Sequence, residues 1–301
     1  MAKIGLSSYS LDSVIESGRM TLGDVIDFTA RNGGDCMEMV PFSFTFGDEE
    51  KRTIDTAFIA DTKRRAKDAG IEIVNYSVLA DLCKDGQEYE DEIKRICYHV
   101  DIAAELGVPR MRHDVTAFRR PLGMNTLKDF DECLPKIVEG AKRIAQYAKT
   151  KGVMTLIENH GFFANGCDRV ERILYGVNDD NYGLLLDTGN VICVDEDPSV
   201  AAYKLAPMAK MIHLKDFYIR KRDPGDTTQF DCGGRWFRSY AGKYLRGAIL
   251  AQGDLDIYEM LSEIKRAGYD GNIAVEFEGL EDPEYASAVS LENARRIWEE
   301  V

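Results

Sequence analysis

The sequence predicts a (β/α)8 barrel, a closed parallel sheet with a helix after each strand and a long insertion between the seventh strand and the seventh helix. Three observations predict it. Short apolar runs alternate with long helical patterns from end to end. Several helices stop at a glycine that leads straight into the next apolar run, as in Ala69-Gly70-Ile71, Leu106-Gly107-Val108 and Lys151-Gly152-Val153. Four apolar runs in the second half end in a polar residue able to ligate a metal: Leu156-Ile157-Glu158, Leu184-Leu185-Leu186-Asp187, Met211-Ile212-His213 and Ile273-Ala274-Val275-Glu276. Packing alone gives no reason for that pattern, whereas a barrel brings the C-terminal ends of its strands together at one rim.

The elements follow in order. Strands are expected at 3–9, 35–40, 71–78, 108–113, 153–159, 182–187, 209–214 and 272–277. Helices are expected at 21–32, 55–69, 88–106, 128–151, 166–176, 198–206, 256–267 and 284–300. Asp256-Ile257-Tyr258-Glu259 starts the seventh helix with a capping-type pattern. The 301 residues suit one domain spanning 1–301, since α/β barrels of this size form a single unit. Between the seventh strand and helix, residues 215–255 show no core pattern and exceed the length of an ordinary loop. They carry Arg220, Lys221, Arg222, Arg235, Arg238 and Arg246 beside Trp236, Phe237 and Tyr240. In an acidic chain this reads as a lid or partner surface at the rim, or as a solvated loop with incidental charge.

Composition sets further bounds. A hydrophobic content of 45% supports a full core, and a net charge of -14 argues against nucleic acid or an anionic membrane as partner. The seven cysteines are dispersed without a CxxC spacing, which reads as reduced thiols in a cytoplasmic protein. Neither a signal peptide nor a membrane-length apolar run is expected, and no GxGxxG or GxxxxGK[ST] loop follows a strand.

Three carboxylates and one imidazole suit a relatively hard divalent ion. Mn2+ is expected ahead of Mg2+, with Co2+ or Zn2+ as other occupants. Four protein ligands on an octahedral ion leave two positions for the carbonyl and hydroxyl of a keto sugar, which the metal would polarise, stabilising an enediolate once an α-proton leaves. Residues i and i+2 share a strand face, so the ligands bring neighbours with them. Glu158 is followed by His160, His213 by Lys215 and Glu276 by Glu278, while Gly189 and Asn190 follow Asp187. His160 reads as a general base, a substrate-binding group or a structural histidine. Lys215 could neutralise an oxyanion or phosphate, or simply pair with Asp216. His113 ends the fourth strand and is expected to reach the pocket as a substrate-binding residue. His99 lies mid-helix and reads as structural. Glu38 faces either the barrel centre or a buried partner.

The segments Ile157-Glu158-Asn159-His160-Gly161, Leu186-Asp187-Thr188-Gly189-Asn190, Ile212-His213-Leu214-Lys215-Asp216 and Val275-Glu276-Phe277-Glu278-Gly279, with Gly253-Asp254-Leu255-Asp256, resemble the xylose isomerase-like TIM-barrel family, the sugar phosphate isomerase/epimerase group. The resemblance covers essentially the whole chain. It implies Glu158, Asp187, His213 and Glu276 as metal ligands, with Glu158 and Glu276 also forming a catalytic acid–base pair on opposite faces of the substrate. It further implies Arg246 as an arginine near the substrate oxygens; Asn190 and Lys215, which follow Asp187 and His213, are the other expected substrate-binding residues. The leading expectation is an isomerase or epimerase of a keto sugar or sugar phosphate. The ketose 3-epimerase branch carries His where this chain has Asn190, and Glu158-x-His160 resembles the catalytic subunits of C-glycoside deglycosidases. The alternative is therefore a lyase or dehydratase acting on a 3-keto glycoside or keto-inositol, with His160 as base. A small carbohydrate is the expected partner, together with a homo-oligomer contact or a small accessory subunit. A non-catalytic sugar-binding subunit is a third class, for which an intact ligand set is a poor argument.

Overall fold

In a computed structural model, residues 2–118, 120–229 and 234–301 are described; Cys232, counted above among the reduced thiols, lies outside them. Eight strands form the barrel: β1 (Lys3–Ser7), β2 (Cys36–Met39), β3 (Glu72–Val78), β4 (Arg110–His113), β5 (Met154–Glu158), β6 (Tyr182–Asp187), β7 (Ala209–Leu214) and β8 (Asn272–Val275). Each pairs in parallel with its sequence neighbours, and β1 closes the ring by pairing with both β8 (Lys3↔Asn272) and β2 (Leu6↔Met37).

Outside the barrel lie α1 (Leu22–Arg31), α2 (Thr56–Ala69), α3 (Gly86–Leu106), α4 (Leu127–Thr150), α5 (Cys167–Val177), α6 (Pro198–Leu205), α7 (Ile257–Arg266) and α8 (Pro283–Glu300). Their ends follow local chemistry. Capping boxes start α1 (Thr21 with Asp24) and α4 (Thr126 with Asp129), satisfying N–H groups that the helix leaves unpaired. Gly70 and Gly107 end α2 and α3 in the left-handed region that the sequence pattern required. None of the described helices is long and apolar enough to cross a membrane.

Two apolar layers result. One lies between barrel and helices, where Ile157, Leu186, Ile212 and Ile273 meet residues such as Val170, Ile264 and Leu291. The other fills the barrel interior and comprises Cys36, Val74, Leu156, Leu185, Met211 and Ala274. Side chains alternate across a strand, so the interior layer dictates what points inward two residues later. Cys36 leads to Glu38, Leu156 to Glu158, Leu185 to Asp187, Met211 to His213 and Ala274 to Glu276.

Residues 215–255, expected to lack pattern, contain a small sheet instead. Asp216–Arg220 pairs antiparallel with Tyr244–Ala248, which pairs with Trp236–Arg238, and Thr227–Thr228 completes the order. Its strands are only two to five residues long, too short for alternation to stand out in sequence. Phe217, Phe237 and Leu245 from this sheet pack on Phe162, Ile192 and Cys193, forming an apolar cluster of their own at the rim.

Candidate metal centre

Glu158, Asp187, His213 and Glu276 converge, with one ligand atom from each lying within 4.8 Å of all the others. His213 Nδ1 is 3.6 Å from Glu158 Oε1, 3.9 Å from Asp187 Oδ2 and 3.9 Å from Glu276 Oε1. Those separations are too long for hydrogen bonds and suit atoms arranged around one ion at about 2.0–2.2 Å from each. Two of the four residues also offer an atom with no other work. Asp187 Oδ2 and His213 Nδ1 are buried without a hydrogen-bond partner among the described residues. Buried polar atoms left unpaired are costly, and a shared cation removes that cost. The donor set and its orphaned atoms fit a divalent ion.

Each ligand is held in place by its surroundings. Asp187 Oδ1 accepts from the backbone N–H groups of Gly189 and Asn190, both at 2.8 Å. Position 189 is glycine for a steric reason, since a Cβ there would come within 2.9 Å of the Lys215 carbonyl oxygen. Asn190 donates from Nδ2 to Glu158 Oε1 at 3.0 Å. Arg112 lies 2.6 Å from Glu158 Oε2 and 2.8 Å from Asp114. His213 Nε2 sits 2.7 Å from Glu38, whose other oxygen accepts from Asn75 and Ser77. A carboxylate behind a ligating histidine fixes the ring and raises its basicity. Glu38 therefore faces the barrel centre, which answers the question that its sequence position left open.

The electrostatics follow from these contacts. Burial pushes the Asp187 carboxyl up to about 6, although Lys215 works the other way. Burial also opposes ionisation of Glu158, but Arg112 and His213 outweigh it and hold this carboxyl well below the usual carboxylate range. Burial disfavours the His213 imidazolium; Glu38 and Glu276 outweigh it and hold the ring well above an ordinary histidine. A cation entering the cluster would displace that proton, so its uptake would release acid.

The cluster lies at the bottom of a cavity of about 940 Å3 whose lining includes Glu158, His213, Glu276, Asn190, His160 and Lys215. Asp187 is fully buried behind them. Lys215 lies 2.6 Å from Glu276 and 3.2 Å from Glu278. Asp216, the simple partner considered for it, instead accepts from the backbone of Phe217 and Gly253. His160 Nδ1 lies 3.1 and 3.2 Å from the two Asp114 carboxylate oxygens and 3.0 Å from Arg112 Nη2. Burial lowers the His160 pKa, but Asp114 outweighs it and the net shift is upward. We assign Nδ1 as the protonated nitrogen donating to Asp114, which leaves Nε2 to meet a substrate.

Two expected substrate-binding residues are elsewhere. His113 is fully buried and outside the cavity lining; its Nδ1 bonds the Asp114 carbonyl and its ring faces Tyr182. Alternation on β4 is the reason, because Arg112 takes the inward direction. Arg246 is also absent from the lining and sits over the rings of Tyr218 and Trp236, at 5.1 and 4.9 Å from their centroids. The rim sheet turns it away, with Arg246 standing opposite Tyr218 in the register. His99 is structural, bonded to Tyr76 and Glu49. Sequence reasoning missed Arg112 and Asp114. It also missed Tyr9, which donates to Glu278 at 2.5 Å. A parity count on β4 from the interior residues would have found Arg112; nothing local marks Tyr9.

Residues 26–297 match the family model described as the xylose isomerase-like TIM barrel, and the chain belongs to that family. It is 25% identical over 160 residues to an inosose dehydratase of Lacticaseibacillus casei, a match covering 52% of this chain and 50% of that protein. The chain thus spans about half the length of that curated relative. Among solved structures it is similar to the probable 3-DHS dehydratase AsbF from Bacillus anthracis, with TM-score 0.73 and 16% identity over 97% of this chain and 98% of that one. It is also similar to the IOLI protein with a bound zinc atom, with TM-score 0.74 and 15% identity over 99% of this chain and 98% of that one. At these identities the structural likeness carries the fold alone.

Proposed function

We propose that this xylose isomerase-like barrel is a divalent-metal-dependent lyase that removes water from a keto polyol or cyclic keto sugar. The observation that carries the proposal is the His160–Asp114 pair at the cavity wall, with imidazole Nε2 left for the substrate. An isomerase or epimerase using Glu158 and Glu276 as its acid–base pair was the leading expectation from sequence. Both carboxylates are engaged, Glu158 by Arg112 and Asn190 and Glu276 by Lys215. Groups tied down this way serve as ligands more readily than as bases, and that favours the elimination. The inosose dehydratase relative supports the same direction.

Glu158, Asp187, His213 and Glu276 would hold the ion, with Mn2+ our choice for an oxygen-rich site containing one imidazole. When bound, it would supply Lewis-acid polarisation of a substrate carbonyl. His160 Nε2 takes the proton from the carbon beside that carbonyl, and Asp114 balances the imidazolium. The C–H electrons become a carbon–carbon double bond as the β-hydroxyl leaves. That hydroxyl takes the proton from His160 and departs as water. Lys215, fixed by Glu276 and Glu278, is placed to donate to a substrate oxygen.

The test uses Mn2+-loaded protein with keto-inositol, following the absorbance of the enone product. His160→Ala should lower kcat by about 10^2–10^4-fold, the usual worth of a positioned acid–base group, without changing metal content. Turnover unaffected by His160→Ala overturns the proposal. So does solvent exchange of the α-proton with no loss of water, which would return the isomerase or epimerase reading to first place.

A further inference from the structure

Across the cavity from His160 stands a polar pair, Tyr9 and Glu278, to which the elimination gives no direct task. In the closed order of the sheet β1 lies four strands from β5, so the segments that follow these strands face each other over the rim. His160 follows β5, while Tyr9 follows β1 on a short 3-10 turn, Ser8–Leu11. Both side chains line the same cavity, as does Glu278 beyond β8. Ser10 ties the turn down: its hydroxyl donates to the Val275 carbonyl at 3.3 Å and accepts from the Phe277 N–H at 2.9 Å. Gly247 lets the backbone of Glu278 close in, since a Cβ there would lie 2.1 Å from the Glu278 carbonyl oxygen. Phe42 meets the Tyr9 ring edge-on, with centroids 5.7 Å apart and 88° between the planes. The pair is therefore built into the rim and held from several sides.

Donors and acceptors decide what this wall can receive. Tyr9 donates its one proton to Glu278 Oε1 at 2.5 Å. Burial, and then the Glu278 carboxylate, raise the Tyr9 pKa well above that of an ordinary tyrosine, so the phenol stays neutral. Its oxygen turns only lone pairs toward the cavity, and among the described residues no group donates to it. Glu278 Oε2 takes Lys215 at 3.2 Å, and a carboxylate oxygen so engaged keeps room for a second donor. Together the two side chains present acceptors alone. A substrate carbonyl, carboxylate or phosphate would meet lone pairs there, whereas an O–H group would find a partner. An ammonium group is disfavoured because the Lys215 ammonium already sits on Glu278. The two acceptors stand side by side, as the oxygens of neighbouring ring hydroxyls do.

We infer that Tyr9 and Glu278 form a binding subsite for two neighbouring free hydroxyl groups of the substrate, which donate to Tyr9 Oη and to the Glu278 carboxylate. This rests on the keto-polyol reading of the metal centre and names the part of the polyol that the far wall holds. With its carbonyl over the metal ligands and a vicinal diol on this wall, the ring is fixed at two points, and the carbon beside the carbonyl is turned toward His160. A polyol lacking either hydroxyl loses one hold. A phosphate ester on either oxygen removes the donor and sets negative charge against Glu278.

Titration calorimetry tests it on the Mn2+-loaded His160→Ala protein, in which binding is read without turnover, using keto-inositol and its set of monodeoxy analogues. Adding Tyr9→Phe, which keeps the ring and removes the oxygen, should weaken keto-inositol by about fivefold or more, the worth of one hydrogen bond. One deoxy analogue should bind His160→Ala as weakly as that and be indifferent to Tyr9→Phe, because the partner hydroxyl is already gone. Glu278→Gln removes the charge and keeps the shape; it should cost about tenfold and be matched by the deoxy analogue at the adjacent carbon. Thermal unfolding checks that each variant is folded. An unchanged affinity for keto-inositol in Tyr9→Phe, an equal loss across every analogue, or no binding of keto-inositol at all overturns the inference. Failure of the lyase reading is separate. The expected binding pattern with no water lost by the parent enzyme sinks only the lyase, and water loss by the parent with every analogue indifferent to Tyr9→Phe sinks only the subsite.

Discussion

Glu38 offers the sharpest check on how this centre is built, because it stands behind His213 and outside the cavity lining. Its carboxylate is fully buried, 2.7 Å from His213 Nε2 and braced by Asn75 and Ser77. If Nδ1 of that ring faces the ion, Glu38 sets both the tautomer and the donor strength of the ligand. Removing such a partner costs about 10–100-fold in metal affinity, which is about 1.4–2.8 kcal/mol at about 1.4 kcal/mol per tenfold. Glu38→Gln is the right perturbation, since it removes the charge and keeps the volume. Glu38→Ala would add a cavity and strand Asn75 and Ser77. The assay is competition for Mn2+ against a chelator of known affinity, with thermal unfolding of the metal-free protein run alongside. Weakened binding by at least about tenfold, with the variant folded, is expected. In the metal-free variant the His213 pKa should also fall, because Glu38 is the foremost group favouring the charged ring. Affinity within about twofold of the parent would refute the reasoning and leave Glu38 as packing.

Two further outcomes follow from the same geometry. Asp187→Asn keeps the shape and the contacts to Gly189 and Asn190 but removes a ligand charge; elemental analysis after dialysis should find the metal lost, whereas retention at full stoichiometry would remove Asp187 from the ligand set. His113 tests the pH dependence of stability. Burial pushes its pKa down to about 4 from an ordinary 6.5, so the unfolded chain takes the proton first. Its contribution is complete above pH 6.5 and is lost as pH falls toward 4, with a limit of about 3 kcal/mol from the roughly 2.5 pH gap. Urea unfolding at pH 7 and pH 4.5 should show a shallower loss for His113→Gln than for the parent, and parallel losses would refute it.

Much of the barrel was legible because each unit repeats the same local signals. Glycines at 70 and 107 stop helices in the left-handed region, and the strands that follow are buried from their second or third residue onward, as parallel strands covered by helices must be. The convergence of Glu158, Asp187, His213 and Glu276 was legible for a related reason. A polar residue ending a buried run is costly unless it has a partner, and four such residues at the ends of four strands imply a shared one. The rim sheet was not legible, because strands as short as Trp236–Arg238 carry too few residues for a period to emerge.

His113 and Arg246 show where residue type alone misleads. Both are plausible substrate ligands by chemistry, yet direction decides their role, and direction on a strand is a matter of parity. Arg110-Met111-Arg112-His113 offers polar residues in both parities, so composition could not say which one enters the barrel. The structure resolves it through charge balance. Glu158 and Asp114 face the centre and need a cation that burial cannot discharge, a role for arginine and not for a histidine whose pKa burial lowers. Once Arg112 turns inward, His113 must face the helices, and Arg112, 2.8 Å from Asp114, steadies the carboxylate that meets His160 Nδ1. The orientation of the proposed base is therefore fixed one strand away from the base itself.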